Sequence, residues 1–103
     1  MIVVRSELRA KFGQGGHLAG QAVLAMEAMQ EELSNSCPTW RVLTDLSGEF
    51  DSVTIETEVE SLAALEQARS KMLGNEAYAK AMKGMSDMAV SGTMSFLNLE
   101  ATG

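Results

Sequence analysis

Residues 40–60 read WRVLTDLSGEFDSVTIETEVE, two runs in which apolar and polar side chains alternate on either side of Ser47-Gly48. A period of two belongs to a strand, whose successive side chains leave opposite faces. Trp40, Val42, Val53, Ile55, Thr57 and Val59 then share one face, and Arg41, Leu43, Asp45, Phe50, Ser52, Thr54, Glu56 and Glu58 share the other. Gly48 tolerates the positive φ of a tight reversal, so the stretch predicts a β-hairpin. With Ser47-Gly48 as the whole loop, Val42 lies opposite Val53, Trp40 opposite Ile55 and Arg41 opposite Thr54. A slip of one residue would turn the greasy side of one strand outward, which holds the two runs in register.

Working outward, Ile2, Val4, Ser6 and Leu8 alternate with Val3, Arg5, Glu7 and Arg9, a first strand divided like the hairpin. KFGQGG breaks that pattern with three glycines, and Leu18, Ala22, Met26, Met29 and Leu33 then recur at helical spacing over residues 16–34. SNSCP ends the helix, because a proline disfavours helix in the residue before it. After the hairpin, Ser61 can cap a helix bearing Leu62, Leu65, Ala68 and Met72. Gly74-Asn75 interrupts, and Asn75 can cap a further helix bearing Tyr78, Ala81, Met82, Met85 and Met88 or Ala89. Residues 90–99 fit a last strand, with Met94 and Phe96 opposed to Thr93, Ser95 and Leu97.

Strand, helix, strand, strand, split helix, strand is the order of an α+β, ferredoxin-like βαββαβ sandwich: a four-stranded antiparallel sheet with its helices on one face. The 103 residues are enough for one domain, residues 1–103, and too few for two. The apolar faces go beneath the helices. The opposite face is left open, carrying Arg5, Glu7, Arg9, Arg41, Asp45, Glu56 and Glu58 among Val3, Leu43, Phe50 and Phe96. Such a mixed face suits water or a second sheet packed across it, and two-fold homodimers are the commonest oligomers.

Composition narrows the function classes. With 46% hydrophobic and 21% charged residues the chain reads as folded, and its net charge of −6 argues against nucleic acid and anionic membranes as partners. No apolar run approaches the roughly 20 residues of a membrane helix. Cys37 is alone, so no internal disulfide can form, and a reducing, cytoplasmic setting is the expectation. With no Lys, Arg or His within three residues, its thiol has no visible activator.

These features resemble the dimeric α/β-barrel superfamily, and within it the chain is most similar to the NIPSNAP-like proteins. The residues that carry the resemblance are VVRSEL in the first strand, KFG ahead of the first helix, WRVLTDLSGEFDSVTIETEVESLAALE and the late final strand. The resemblance implies two ferredoxin-like subunits with their open sheet faces pressed together into a barrel. The superfamily includes cofactor-free monooxygenases, heme-degrading monooxygenases, lactone isomerases and many proteins without assigned activity. The heme-degrading type uses an Asn on the first strand, a Trp and a His on the second helix. Here Ser6 stands in the first strand, no His occurs in residues 61–89, and Trp40 falls on the second strand, so no heme is expected.

Individual residues each allow two readings. Arg5 and Arg41 on the open face can anchor an anionic ligand while Glu7 or Glu56 moves a proton, or all four can be interface salt bridges. His17, the only histidine, falls in the first turn of the first helix, where it is either a neutral base or an exposed polar residue. GQGGHLAG evokes a phosphate-cradling loop, but Leu18 stands where G-x-G-x-x-G needs glycine. Met72, Met82, Met85 and Met88 fill a core or line a pocket for a flat, oily ligand. One His and one Cys make no metal-ligand spacing, so neither metal nor cofactor is expected. The reading is a homodimeric protein that binds a small molecule or serves a structural role. The alternative is a cofactor-independent monooxygenase or isomerase acting on a polar aromatic or oxo-acid.

Overall fold

The computed structural model describes residues 1–103. Its elements are β1 (Ile2–Ala10), α1 (Gly15–Leu33), β2 (Thr39–Thr44), β3 (Ser52–Val59), α2 (Leu62–Met72), α3 (Glu76–Met88) and β4 (Ala89–Asn98). The strands form one sheet in the order β2-β3-β1-β4, each pair antiparallel, which is the ferredoxin-like arrangement expected from the element order. Ser61 caps α2 by accepting from the Ala64 N–H at 3.1 Å, and Asn75 caps α3 by accepting from the Tyr78 N–H at 2.9 Å. The second helical region is therefore two helices, divided at Gly74, whose φ of 86° stops the first of them.

The core lies between the helices and one face of the sheet. Leu18, Ala22, Ala25, Met26, Met29 and Leu33 of α1 meet Val53 and Ile55 of β3, with Ala68, Met72, Ala81 and Met85 closing the layer. Leu18 and Val53 are wholly enclosed. Trp40 packs at the edge of this layer as expected, and its indole N–H donates to Gln30 Oε1 at 3.1 Å.

The hairpin departs from the expected pairing. Val42 lies opposite Ile55, Trp40 opposite Thr57 and Arg41 opposite Glu56, a slip of two residues. The connection is not the dipeptide Ser47-Gly48 but the whole of residues 45–51, in which Leu46 and Phe50 point to solvent. Two carboxylates hold this wider loop. Asp45 Oδ1 accepts from the Ser52 N–H at 3.3 Å, while Asp51 reaches across to the glycine segment. Because the slip is even, each side chain keeps its face. Phe50 belongs to the loop rather than the sheet. Phe96 pairs with Val4 and so projects on the helix side, not on the open face, and Leu97, opposite Val3, takes the open face instead.

Asp51 also explains the glycine segment. Its Oδ2 accepts from the Gly13 N–H at 3.0 Å and its Oδ1 from the Gly15 N–H at 3.1 Å, so the start of α1 already holds a carboxylate. A Cβ on residue 15 would come within 2.9 Å of the Asp51 Cα, which requires glycine there. Asp51 itself has φ 61°, a conformation that Asn and Asp tolerate better than other side chains. Asp51→Ala is expected to cost about 1–2 kcal/mol in chemical denaturation, and Asp51→Asn distinctly less, since the amide oxygen still accepts one bond. No loss in either variant would mean that the tether contributes nothing.

Candidate functional site

Two regions gather chemistry, one on each face of the sheet. On the open face the observed register aligns Arg41 of β2, Glu56 of β3, Arg5 of β1 and Ser95 of β4 in one row across all four strands. Glu56 Oε2 accepts from Arg5 Nε at 2.6 Å, and Oε1 accepts from Arg41 Nε at 2.6 Å and from Arg41 Nη2. Glu56 is 5% exposed although no layer covers this face, because its two arginines lie over it. The Arg41 hydrogen bond, assisted by that from Arg5 and opposed by burial, holds the Glu56 carboxyl below the ordinary glutamate range. A carboxylate so stabilised is a weak proton acceptor at neutral pH, where a general base needs a pKa near the working pH.

Glu7 sits one row along the same face, opposite Thr54 and Thr93, and is exposed. Arg9 reaches over the hairpin loop to Glu49 at 2.6 Å. His17 is exposed on the first turn of α1, a helix packed on the core side of the sheet rather than on the open face. The structure therefore joins Arg5, Arg41 and Glu56 in one cluster, with Glu7 beside it and His17 apart. Cys37 donates its S–H to the Pro38 carbonyl at 3.3 Å, and burial pushes its thiol upward, away from reactivity.

The second region is a cleft of about 230 Å³ between the helices and the other face of the sheet. Val4, Ser6, Leu8, Ile55, Thr57 and Met94 form the sheet side, and α1, α2, α3 and Pro38 ahead of β2 supply the rest, half of it methionine. Of the chain's eight methionines, six line this space: Met26, Met29, Met72, Met82, Met85 and Met94. Met88, expected among them, packs against the core elsewhere. Met26 and Met29 read as ordinary core in the sequence, and Met94 is brought in only by the β1–β4 pairing. The i,i+3 pairs at 26/29 and 82/85 were the available signal.

Polar groups in the cleft are few. Ser6 and Thr57 lie on its sheet side, and Arg69 and Tyr78 on its helical side. Arg69 Nη2 donates to Met94 Sδ at 3.3 Å, and no carboxylate pairs with this guanidinium. Burial pushes the Tyr78 hydroxyl upward, with the charge of Arg69 pulling the other way, so the phenol is neutral at physiological pH. No Asp, Glu or His lines the cleft.

No family model and no curated protein matches the sequence. Solved structures do match the fold over nearly its full length. A NIPSNAP domain protein of uncharacterized function from Burkholderia xenovorans superposes with a TM-score of 0.80 at 14% identity, covering 98% of this chain and 96% of that one. A NIPSNAP family protein from Agrobacterium tumefaciens gives 0.77 at 15% identity, over 94% and 90%. The fold is that of the NIPSNAP domain proteins. It is shared with a protein named antibiotic biosynthesis monooxygenase, at a TM-score of 0.67 and 11% identity over 98% of this chain and 100% of that one. No helix is long and apolar enough to cross a membrane.

Proposed function

We propose that this chain binds a small, largely apolar molecule in the cleft between helices and sheet, and that it does so as a homodimer. The observation that carries the first part is the gathering of six methionines around one space. Unbranched thioether side chains repack around differing ligand shapes at little cost, so a wall built of them can adapt to its occupant while still closing the core. With methionine methyl groups labelled by carbon-13, 1-naphthoate, 1-naphthol and decanoate are the first probes to titrate. Saturable shifts are expected at the six lining methyls, with Met1 and Met88 as internal controls. Probes that move none of the six, or move all eight alike, would defeat the reading.

The dimer is supported by charge. The open face presents Arg5, Arg9 and Arg41 with Glu7, Glu56 and Glu58, three of each sign on a chain of net charge −6. This balanced patch lets two copies approach without the repulsion acting elsewhere, and Val3, Leu43 and Leu97 supply apolar contact. Sedimentation is expected to give twice the 11.0 kDa chain mass at micromolar concentration. A species of single-chain mass would overturn the dimer and leave the cleft untouched.

The enzymatic alternative, a cofactor-independent monooxygenase or isomerase, draws support from the fold shared with the protein named antibiotic biosynthesis monooxygenase. The cleft favours binding over that chemistry, because a carbanion-forming step needs a proton acceptor and the lining residues include neither carboxylate nor imidazole. Oxygen uptake dependent on 1-naphthol would reverse the preference.

A further inference from the structure

We propose that Arg69 makes the cleft selective for apolar molecules that end in a single carboxylate. The inference rests on the cleft being a binding site and adds the chemical class of its ligand. Three observations carry it. First, Arg69 is the only charged residue among those that line the cleft, so the field along an otherwise apolar wall is positive. Secondly, the chain has 14 acidic residues against 8 basic ones, yet no carboxylate reaches Arg69. Arg5 and Arg41, by contrast, are committed to Glu56, and Arg9 to Glu49. Thirdly, the one bond that Arg69 makes is to the thioether of Met94. Sulfur of this kind is a weak acceptor, so the guanidinium gives up little when a carboxylate takes its place.

Geometry limits the rest of the molecule. A volume of about 230 Å³ lies below the roughly 300–1,000 Å³ of drug-sized sites, which suits one or two fused rings or a medium alkyl chain. Tyr78, neutral and on the same helical side of the cleft as Arg69, offers a second donor to the carboxylate, while Ser6 and Thr57 can meet a lesser polar group on the body of the ligand. Only Arg69 distinguishes an anion from its neutral isostere.

The test compares 1-naphthoate with 1-naphthamide, which share their shape and differ in charge, by methionine-methyl titration and calorimetry of the full chain. The unmodified protein is expected to favour 1-naphthoate by about tenfold, the lower end for hydrogen bonds to charged groups. Arg69→Met keeps the apolar stem and removes the charge. Because the chain as a whole repels anions, that variant should prefer 1-naphthamide, and Arg69→Lys should restore part of the original order. Naphthamide binding as tightly as naphthoate in the unmodified protein, or an Arg69→Met variant with unchanged preference, would overturn the assignment while the cleft stands. If neither compound shifts any of the six lining methyls, the cleft reading falls and this inference with it. Arg69 is exposed on α2, so its loss does not threaten folding.

Discussion

Val53→Asp is expected to leave little folded protein at 25 °C, whereas Thr54→Asp, one residue further along β3, should cost about 1 kcal/mol or less. Val53 is wholly enclosed between Leu18 of α1 and the strands around it. A carboxylate placed there has no partner and no water, and burying it costs several kcal/mol even after relaxation. A domain of this size has about 5–15 kcal/mol in total, so one such charge consumes much of its stability. Thr54 faces the opposite way, paired with Leu43 and Glu7 on the open face. Within one subunit an aspartate there meets one like charge across the strands and keeps its water, whereas any further loss that depends on protein concentration belongs to the dimer seam. Urea denaturation of the two variants at equal concentration makes the comparison, and similar losses would contradict the division of β3 into a buried and an open face.

That division was legible in the sequence because strand periodicity is a local signal: WRVLT and SVTIETEV each state their own faces. The caps Ser61 and Asn75 were legible for the same reason, since a capping side chain acts within three residues of itself. The hairpin register was not, because it depends on what happens to residues 45–51. Asp51 is held by the Gly13 and Gly15 amides, 38 and 36 residues earlier in the chain, and belongs to the loop rather than to a ladder beside a two-residue turn. Since the resulting slip is even, the residues of both strands kept their faces but changed every partner, and Asp45 and Phe50, expected on the open face, fell into the loop. It concealed the central feature of the open face, for in the expected register Arg41 met Thr54 and no row of opposite charges appeared. The cleft was legible in part, since Met72, Met82 and Met85, expected to fill a core or line a pocket, do line it. Its lining comes from three helices and three strands, and Met94 joins Met26 and Met72 only through tertiary packing. Sequence spacing brought forward the methionines of the later helices but gave no means of adding Met26, Met29 and Met94 to them.

The arginine row yields the second large effect, and its dependence on pH has a definite sign. Glu56→Gln is expected to lose about 1–3 kcal/mol at pH 7. The amide can accept from one arginine only by turning its NH2 group toward the other, which leaves a guanidinium facing a donor. The loss stays short of that for a fully buried ion pair, because Arg5 and Arg41 are 40% and 68% exposed and can turn to water. In the folded chain the Glu56 carboxyl is held below its ordinary range by Arg41 and Arg5, whereas in the unfolded chain it titrates near about 4.3. A folded value below the unfolded one means that the stabilisation is present in full above the unfolded value. It is lost as pH falls through the folded value, because the folded state must then take up a proton at the expense of both ion pairs. The stability difference between the unmodified protein and Glu56→Gln should therefore be flat from about pH 8 to pH 5, shrink below about pH 4, and vanish once Glu56 is protonated in both states. Arg5→Met and Arg41→Met should each raise the Glu56 titration midpoint, followed by carbon-13 NMR of its carboxyl. If the row also joins two subunits, the loss in Glu56→Gln will depend on protein concentration, as linkage to association requires. A concentration-independent loss would confine the role of the row to the single subunit. A difference that grew as pH fell would mean that Glu56 is destabilised by its surroundings, and that the two arginines do not hold it as described.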